Sequence, residues 1–307
     1  MISAPAKVNL TLELLGPRPD GYHELRSLLM PVSLYETLEA TPCEAGRVDC
    51  STRLESVPAF DMESVPRERH LAVRAARALQ EAARRRGPAA EEPLPGALLR
   101  IVKRVPVGAG MGGGSADAAG ALRELNDFWN LSLSPEDLAK IGATFASDVP
   151  GMALGGPVVM EGRGECVRRL DIPESAPPLW LVLAFCGEPI STRDVYAACP
   201  AVARGPDGCL ERMTAAVASG DPRMAAEALF NGLESTVYAR HPRTAELPGA
   251  LRRAGALGTL LSGSGGVVFG IAESEEHAHF IAARLPSGLW ARVVSTGASF
   301  HTRGIQN

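Results

Sequence analysis

The sequence predicts an α+β chain of two units that part near residue 156, and three observations carry that reading. The first strand-like stretch, Lys7 to Leu14, alternates strictly between polar and apolar residues. A glycine-rich run at 106–117 separates a second strand-like stretch, Leu98 to Val102, from the helix-favouring Ala118 to Leu125. Beyond Gly155-Gly156, strands and helices follow one another again around another glycine-rich turn. The units are therefore expected at 1–156 and 157–307, and a chain of 307 residues can bury the core they need.

Taken in order, the first strand puts Val8, Leu10, Leu12 and Leu14 on one face and Lys7, Asn9, Thr11 and Glu13 on the other. The pattern alone favours a half-buried strand with a solvated polar face; the sharper alternative has Lys7 and Asn9 lining a cleft. A turn-rich loop, Gly16 to His23, ends in Tyr22 and His23, and such loops present side chains to ligands without disturbing a core. Strands are expected over Ser27–Leu34 and Glu36–Ala40, while Cys43 to Arg69 is too mixed to assign. His70 to Arg86 is an amphipathic helix, with Leu71, Ala75, Ala76, Leu79, Ala82 and Ala83 on one face, and a loop follows from Gly87 to Gly96.

After the glycine run, Ser134 is an N-cap, Pro135 a first-turn residue, and a helix runs to about Thr144. Asp148, on sequence alone, is a turn or N-cap residue. A short strand, Pro157 to Met160, belongs to a hairpin-like arrangement. The second unit is expected to hold a buried strand at Leu179–Phe185, helices at about 210–219, 223–234 and 248–254, and a glycine-rich strand–turn–strand at 258–270. A helix capped by Ser274 and a strand from Leu289 to Ser295 complete it.

The glycine run carries the first chemical signal. Five glycines between Gly108 and Gly114 leave the backbone nearly bare, so its N–H groups can crowd around an anion. A helix starting at about Ser115 would add its unpaired amides and positive dipole end. The blander alternative is a tight turn without a ligand. Gly108, Gly110 and Gly113 also satisfy G-x-G-x-x-G, but the second helix at 135–144 follows where a dinucleotide fold needs a strand ending in a carboxylate. No lysine follows the last glycine, which excludes the Walker-type loop. Lys103, just before the run, is placed to reach a nucleotide, although most strand-end lysines are merely solvated.

Composition removes several function classes. A net charge of −4 with scattered arginines argues against nucleic-acid binding. Six cysteines without a C-x-x-C pair read as free thiols in a reducing compartment. The longest uncharged run, Ala254 to Ala272, holds six glycines and makes a poor membrane span. With no targeting signal visible, a cytoplasmic protein with no membrane partner is expected.

The run Pro106-Val107-Gly108-Ala109-Gly110-Met111-Gly112-Gly113-Gly114-Ser115 resembles the phosphate loop of the galactokinase, homoserine kinase, mevalonate kinase and phosphomevalonate kinase (GHMP) superfamily. Three further blocks extend the likeness from about Ala4 to the last strand: Ala4–Leu10 with Asp20-Gly21-Tyr22-His23, Ser147–Pro150 with Gly155-Gly156, and Ser262-Gly263-Ser264-Gly265. Lys7 and Asn9 followed by Asp-Gly-Tyr-His resemble the branch whose substrate is a cytidine-diphosphate-linked methylerythritol.

The resemblance implies an N-terminal domain like ribosomal protein S5 domain 2 and a ferredoxin-like C-terminal domain. It implies transfer of a phosphoryl group from ATP, with Mg²⁺, to the 2-hydroxyl of the methylerythritol unit, a step on the non-mevalonate route to isoprenoids. Asp148 matches the catalytic aspartate and Lys7 its partner lysine. Lys103, Pro106, Gly108, Ala109, Gly110, Met111, Gly112, Gly113, Gly114 and Ser115 match nucleotide-binding positions, and Mg²⁺ would bridge the phosphates with its protein ligands unassigned. Tyr22 would stack on cytosine, His23 would bond its edge, Asn9 would contact the substrate near its reacting end, and Tyr196 would complete a cytosine sandwich.

Three positions depart from the family pattern: Met111 replaces leucine, Ala116 replaces a second serine, and His70 stands where an asparagine near the adenine is usual. The rival readings are a GHMP kinase of another small alcohol, such as mevalonate or homoserine, and a non-catalytic nucleotide-binding module of the same fold. Tyr22 and His23 speak against the first, and the presence of both Lys7 and Asp148 against the second. The partner is expected to be a small molecule, and the chain a monomer or homodimer.

Overall fold

The structure, a computed structural model, describes residues 1–62, 65–85 and 94–302. The expected helix end at Arg86 and most of the loop after it lie outside the described residues. Two long antiparallel strands, β1 (Ile2–Pro17) and β2 (His23–Cys43), form the spine of the first sheet. The two strands expected at 27–34 and 36–40 are one, interrupted by a bulge. Pro5 pairs with Tyr35 and Ala6 with Val32, so Ser33 and Leu34 are extra residues that break the alternation.

The unassigned stretch after Cys43 supplies β3 (Val48–Leu54), which pairs in parallel with β4 (Gly96–Lys103) at the sheet edge. Four helices cover one face: α1 (Leu71–Arg84), α2 (Gly113–Phe128), α3 (Pro135–Ala143) and α4 (Val149–Leu154). Ser134 caps α3 as expected, accepting a bond from the Asp137 amide at 3.1 Å. Helix α2 begins at Gly113, two residues before the expected start, because Gly112 adopts a left-handed conformation (φ 66°) that turns the chain into the helix. The hairpin β5 (Val158–Gly162) and β6 (Cys166–Arg169), although past residue 156, extends this same sheet through β2.

The second sheet begins with β7 (Trp180–Phe185). Helices α5 (Thr192–Ala198), α6 (Cys209–Ser219) and α7 (Pro222–Glu227) follow. The helix expected over 223–234 stops at Glu227. Phe230–Asn231 (β8) pairs in parallel with Thr11 and Leu12 of β1, and the Asn231 amide donates to the Leu261 and Gly263 carbonyls, which requires extended backbone there. Then come α8 (Glu234–Arg240), α9 (Pro242–Ala245), α10 (Leu247–Ala254), β9 (Thr259–Leu261), β10 (Val267–Ala272), α11 (Glu275–Ala283) and β11 (Trp290–Ser295). The order β11-β7-β10-β9, antiparallel throughout, is the ferredoxin-like arrangement. A last short strand, β12 (His301–Thr302), returns to β1.

Three buried clusters hold these layers together. One lies between the first sheet and helices α1–α4. Another is shared by both units, with Val8, Leu10 and Met30 among the same buried side chains as Leu181, Phe185 and Phe269. The third backs the second sheet with α8, α10 and α11 and takes in Leu12 and Leu14. The apolar face of β1 thus passes from one core to the next. A bulge at Leu10, between the pairs Asn9–Leu29 and Thr11–Leu28, makes the transfer.

The glycine loop is itself a contact between the units. Its carbonyls accept from the second unit: Gly108 from the Ile190 amide at 3.0 Å, Ala109 from the Val267 amide at 3.0 Å, and Gly110 from the Ser262 hydroxyl at 3.1 Å. Gly110 has φ 74°, and a methyl there would overlap the Ser262 carbonyl oxygen, which is backbone and cannot swing aside. Gly156 has nearly the same φ, 76°, but nothing within 4 Å of an added methyl. Chemical denaturation of Gly110→Ala should therefore show a loss well beyond the ~1–2 kcal/mol of left-handed strain expected of Gly156→Ala. Equal losses in the two variants would show that the close approach does not matter.

Candidate active site

One cavity of about 820 Å³ collects almost every residue singled out by the sequence. This is the size of a small-molecule site. Lys7, Asn9, Tyr22, His23, Lys103, Asp148, Tyr196 and the whole run Pro106–Ser115 line it.

At its centre, β1 presents Lys7 and Asn9, and past the Leu10 bulge Leu12 instead of Thr11 or Glu13. The whole polar row is nevertheless buried, where the pattern alone favoured a solvated face. Lys7, Asn9, Thr11 and Glu13 are each no more than 3% exposed. The Lys7 ammonium lies 3.2 Å from Asp148 Oδ2 and donates to Asn9 Oδ1 at 2.7 Å. Its backbone amide donates to the Met111 carbonyl at 3.1 Å, tying β1 to the glycine loop. A buried ammonium is costly unless paired, and Asp148, on the partly open cavity wall, supplies the countercharge. Asp148 occupies the N-cap position of α4, yet its side chain makes no cap bond and turns to Lys7.

One end of the cavity is the glycine loop. With the carbonyls of Gly108–Gly110 engaged by the second unit, that of Met111 by Lys7 and that of Gly112 by the Ala116 amide, the loop's amide hydrogens are the groups left to meet a ligand. The first three amides of α2, at Gly113, Gly114 and Ser115, have no intrahelical acceptor by geometry, and all three residues line the cavity. Such an arrangement of free amides can receive an anion. Ala116 is fully buried in the helix-side core, so a hydroxyl there would face apolar side chains. Met111 is likewise buried, filling the core shared by the two units.

Beside the loop, Lys103 is enclosed with two carboxylates. Its Nζ lies 2.6 Å from Asp117 Oδ2 and 2.7 Å from Glu36 Oε1, and all three side chains are nearly inaccessible. Two acids share one cation in a dry place, so one excess negative charge is disfavoured. Burial, reinforced by the charge on Asp117 and opposed by Lys103, pushes the Glu36 carboxyl up to about 7. For Lys103, burial acts against the charge, but Asp117 and Glu36 outweigh it and hold the ammonium above its ordinary range. Burial lowers the neighbouring His70 imidazole, whose Nδ1 is buried without a hydrogen-bond partner, as is Asp117 Oδ1. The stretch that defied assignment contributes Phe60, Met62 and Val65 to this wall.

The opposite end is aromatic. Tyr22 is 51% exposed, and the Arg163 guanidinium sits 5.3 Å from its ring centroid. The rings of His23 and Tyr196 are 5.9 Å apart and tilted by 45°, and His23 Nε2 lies 3.7 Å from Cys199 Sγ. Tyr196 rides on α5, a helix the sequence reading missed although Ser191 caps it. Burial, then the charge of Asp148, raises its phenol above the usual tyrosine range. Thr192 and Ser264, hydroxyls from different elements of the second unit, meet at 2.8 Å and also line the cavity.

Sequence reasoning missed Glu36, Asp117, Arg163 and Thr192. Asp117 stood within the glycine block and Glu36 opened the second of two expected strands, but neither carries a signal that the other is near. No group of three or more His, Cys, Asp or Glu side chains suited to a metal converges among the described residues. Among them, too, no helix is long and apolar enough to cross a membrane.

Comparison with known proteins places this site in a family. The family model described as GHMP kinases N terminal domain matches residues 70–156, and that described as GHMP kinases C terminal matches residues 213–289. The chain is 40% identical over 281 residues to the 4-diphosphocytidyl-2-C-methyl-D-erythritol kinase of Pelotomaculum thermopropionicum, covering 92% of each chain. It is 43% identical over 277 residues to that of Symbiobacterium thermophilum, covering 90% of this chain and 91% of the relative. Among solved structures it resembles a 4-(cytidine 5'-diphospho)-2C-methyl-D-erythritol kinase with a TM-score of 0.75 and 32% identity, covering 97% of this chain and all of that one. A mevalonate kinase of L. major, solved with R-mevalonate, shares the fold at a TM-score of 0.68 and 16% identity.

The buried triad has a pH signature. Unfolded, Glu36 titrates near 4.5; folded, near 7. Between these values the folded chain holds a proton that the unfolded chain releases, so this group's contribution is full below about 4.5 and is lost as pH rises through 7. Urea denaturation of Glu36→Gln beside the parent, from pH 5 to 7.5, should remove a downward slope worth on the order of 1–3 kcal/mol. Parallel curves would place the proton elsewhere.

Proposed function

The chain belongs to the GHMP kinase family, within it to the 4-diphosphocytidyl-2-C-methyl-D-erythritol kinases, and from that premise we propose how its residues divide the reaction. The enzyme transfers the γ-phosphoryl group of ATP to the 2-hydroxyl of 4-diphosphocytidyl-2-C-methyl-D-erythritol, in the non-mevalonate supply of isoprenoid precursors. One observation carries the assignment of roles: the Lys7–Asp148 pair lies in a single cavity with the glycine cradle and the tyrosine–histidine pocket.

In this reading the amides of Gly108 to Ser115 take the ATP phosphates, and Pro106 and Lys103 border the nucleotide. The Asp148 carboxylate orients the 2-hydroxyl and accepts its proton as the oxygen–phosphorus bond forms and ADP departs. The Lys7 ammonium, already out of water, opposes the charge that spreads over the phosphoryl oxygens in transit. Asn9 holds Lys7 and faces the substrate near its reacting end.

Magnesium would accompany the ATP phosphates and, keeping several waters, would need few protein ligands; the Ser115 hydroxyl at the start of α2, which lines the cavity, would be one of them. Bound there, it would neutralise phosphate charge. Tyr22 and Tyr196 receive the cytosine ring, with His23 at its edge. The boundary expected at 156/157 is read as lying past the β5–β6 hairpin, which pairs with β2 of the first unit. The partner is a small molecule, and the compartment is the cytoplasm.

Turnover with Mg²⁺-ATP should be rapid with the cytidine-linked alcohol and negligible with mevalonate or homoserine. Turnover of another alcohol would keep the kinase and remove the cytosine pocket. Asp148→Asn should lower kcat about 10²–10⁴-fold while both KM values stay within a few-fold. A variant that keeps parental kcat would leave Asp148 without the base role. Tyr22→Ala should raise KM for the cytidine substrate about tenfold or more, with KM for ATP unchanged, since stacking one base contributes about 1–3 kcal/mol.

A further inference from the structure

The pairing of Lys7 with Asp148 is held from behind by a hydroxyl that touches neither of them. Ser27, on β2, is 1% exposed. Its hydroxyl donates to the Thr11 carbonyl at 2.6 Å. A carbonyl can only accept, so the single Ser27 proton is committed to it. The Asn9 side-chain nitrogen lies 2.8 Å from the same Ser27 oxygen, which must therefore accept from the Asn9 amide. This leaves one arrangement for Asn9: nitrogen toward Ser27 and oxygen toward Lys7, whose ammonium can only donate.

We infer that Ser27 is a positioning residue for phosphoryl transfer, fixing the Asn9 amide so that its oxygen holds the Lys7 ammonium against Asp148. The proposal rests on the kinase reading given above. Thr11 contributes twice: its carbonyl takes the Ser27 proton, and its own hydroxyl accepts from the Leu28 amide at 3.1 Å, fixing β1 against β2 beside the Leu10 bulge. Bulges re-aim side chains next to active sites, and here the bulge separates Asn9 from Thr11 so that both flank Ser27.

Without the hydroxyl, the Asn9 amide has no acceptor on its far side and is free to rotate. Rotation would bring an NH₂ group against the ammonium, which repels it, and Lys7 would lose one of the two groups that hold it. In Ser27→Ala, kcat should fall about 10- to 100-fold, the scale of a small displacement at a reacting centre, while KM for ATP and for the alcohol stays within about twofold. Ser27→Thr, which keeps the hydroxyl at a position bordering the cavity, should restore most of kcat. In an Asn9→Ala background, Ser27→Ala should cost nothing further, since the path from Ser27 to Lys7 is already cut.

Hydrogen exchange of the Asn9 side-chain amide, followed by NMR without substrate, tests the hold separately from turnover. The parent amide should exchange more slowly than an exposed asparagine, and Ser27→Ala should abolish that protection. Multiplying effects of Ser27→Ala and Asn9→Ala, an unchanged kcat, or an unprotected Asn9 amide in the parent would each overturn the proposal. A parent that turns over no alcohol but protects the Asn9 amide would overturn the kinase reading and with it the catalytic role of Ser27.

Discussion

The close approach of the glycine loop to the Ser262–Gly266 turn is the constraint on which the rest of this structure depends. It is a backbone-to-backbone contact that admits no side chain at Gly110 and almost none at Gly266, where an added methyl would lie 2.7 Å from the Gly108 carbonyl oxygen. It also sorts the loop's polar groups. Every carbonyl from Gly108 to Gly112 is satisfied away from the cavity, which leaves the donors facing into it. Docking of the second unit engages the carbonyls of Gly108 to Gly110, while Lys7 and Ala116, within the first unit, engage those of Met111 and Gly112.

Strand β1 carries the second constraint, a row of polar groups in a place without water. Each is paid for locally: Lys7 by Asn9 and Asp148, Asn9 by Ser27, and Glu13 by Arg26 and the Gly205 amide. Glu13 extends the network to the second unit, since its bond to Gly205 (3.0 Å) lies beside the pairing of Leu14 with Ala203. The strand that presents Lys7 and Asn9 to the cavity therefore also fastens, past the Leu10 bulge and on its other face, the loop after α5, the helix on which Tyr196 stands. A partly satisfied network of this kind would cost more than an apolar core, so these partners matter to the stability of the strand.

The sequence disclosed the local devices and concealed the long-range ones. Glycine spacing and the Ser134 and Ser274 caps are decided by neighbours a few residues away and reappear in the structure. The strand read from the alternation of Lys7 to Leu14 is there too, but buried on both faces and bulged at Leu10. The four blocks of family resemblance brought Lys7 and Asp148 into one hypothesis, and they lie 3.2 Å apart across 141 positions of chain. The failures have physical causes. The bulge at Ser33-Leu34 split one strand into two because it interrupts the period on which strand recognition relies. The helix beyond Glu227 was overextended because its residues favour helix, whereas pairing of β8 with β1 requires extended backbone. The buried polar face of β1 looked solvated because a period of two says which residues share a face, and nothing about what covers it. Glu36 and Lys103 lie on neighbouring strands and Asp117 on the helix above, so their triad exists only in three dimensions.

Exposure changes sharply across the cavity, and the change matches the two tasks a kinase of this kind must combine. Lys7 is 3% exposed and Tyr22 is 51% exposed. The cost of desolvating the ammonium is met in folding, so nothing need reorganise around it when charge moves between oxygen and phosphorus. The tyrosine ring, by contrast, is half exposed, and in the proposed reading covering it with the cytosine base would release free energy only when the correct substrate arrives. In that reading binding energy is gained at the end that identifies the substrate and used for alignment at the end where chemistry occurs. A site with the opposite arrangement, open at the lysine and closed at the tyrosine, would bind alcohols indiscriminately and would pay for desolvation in every turnover.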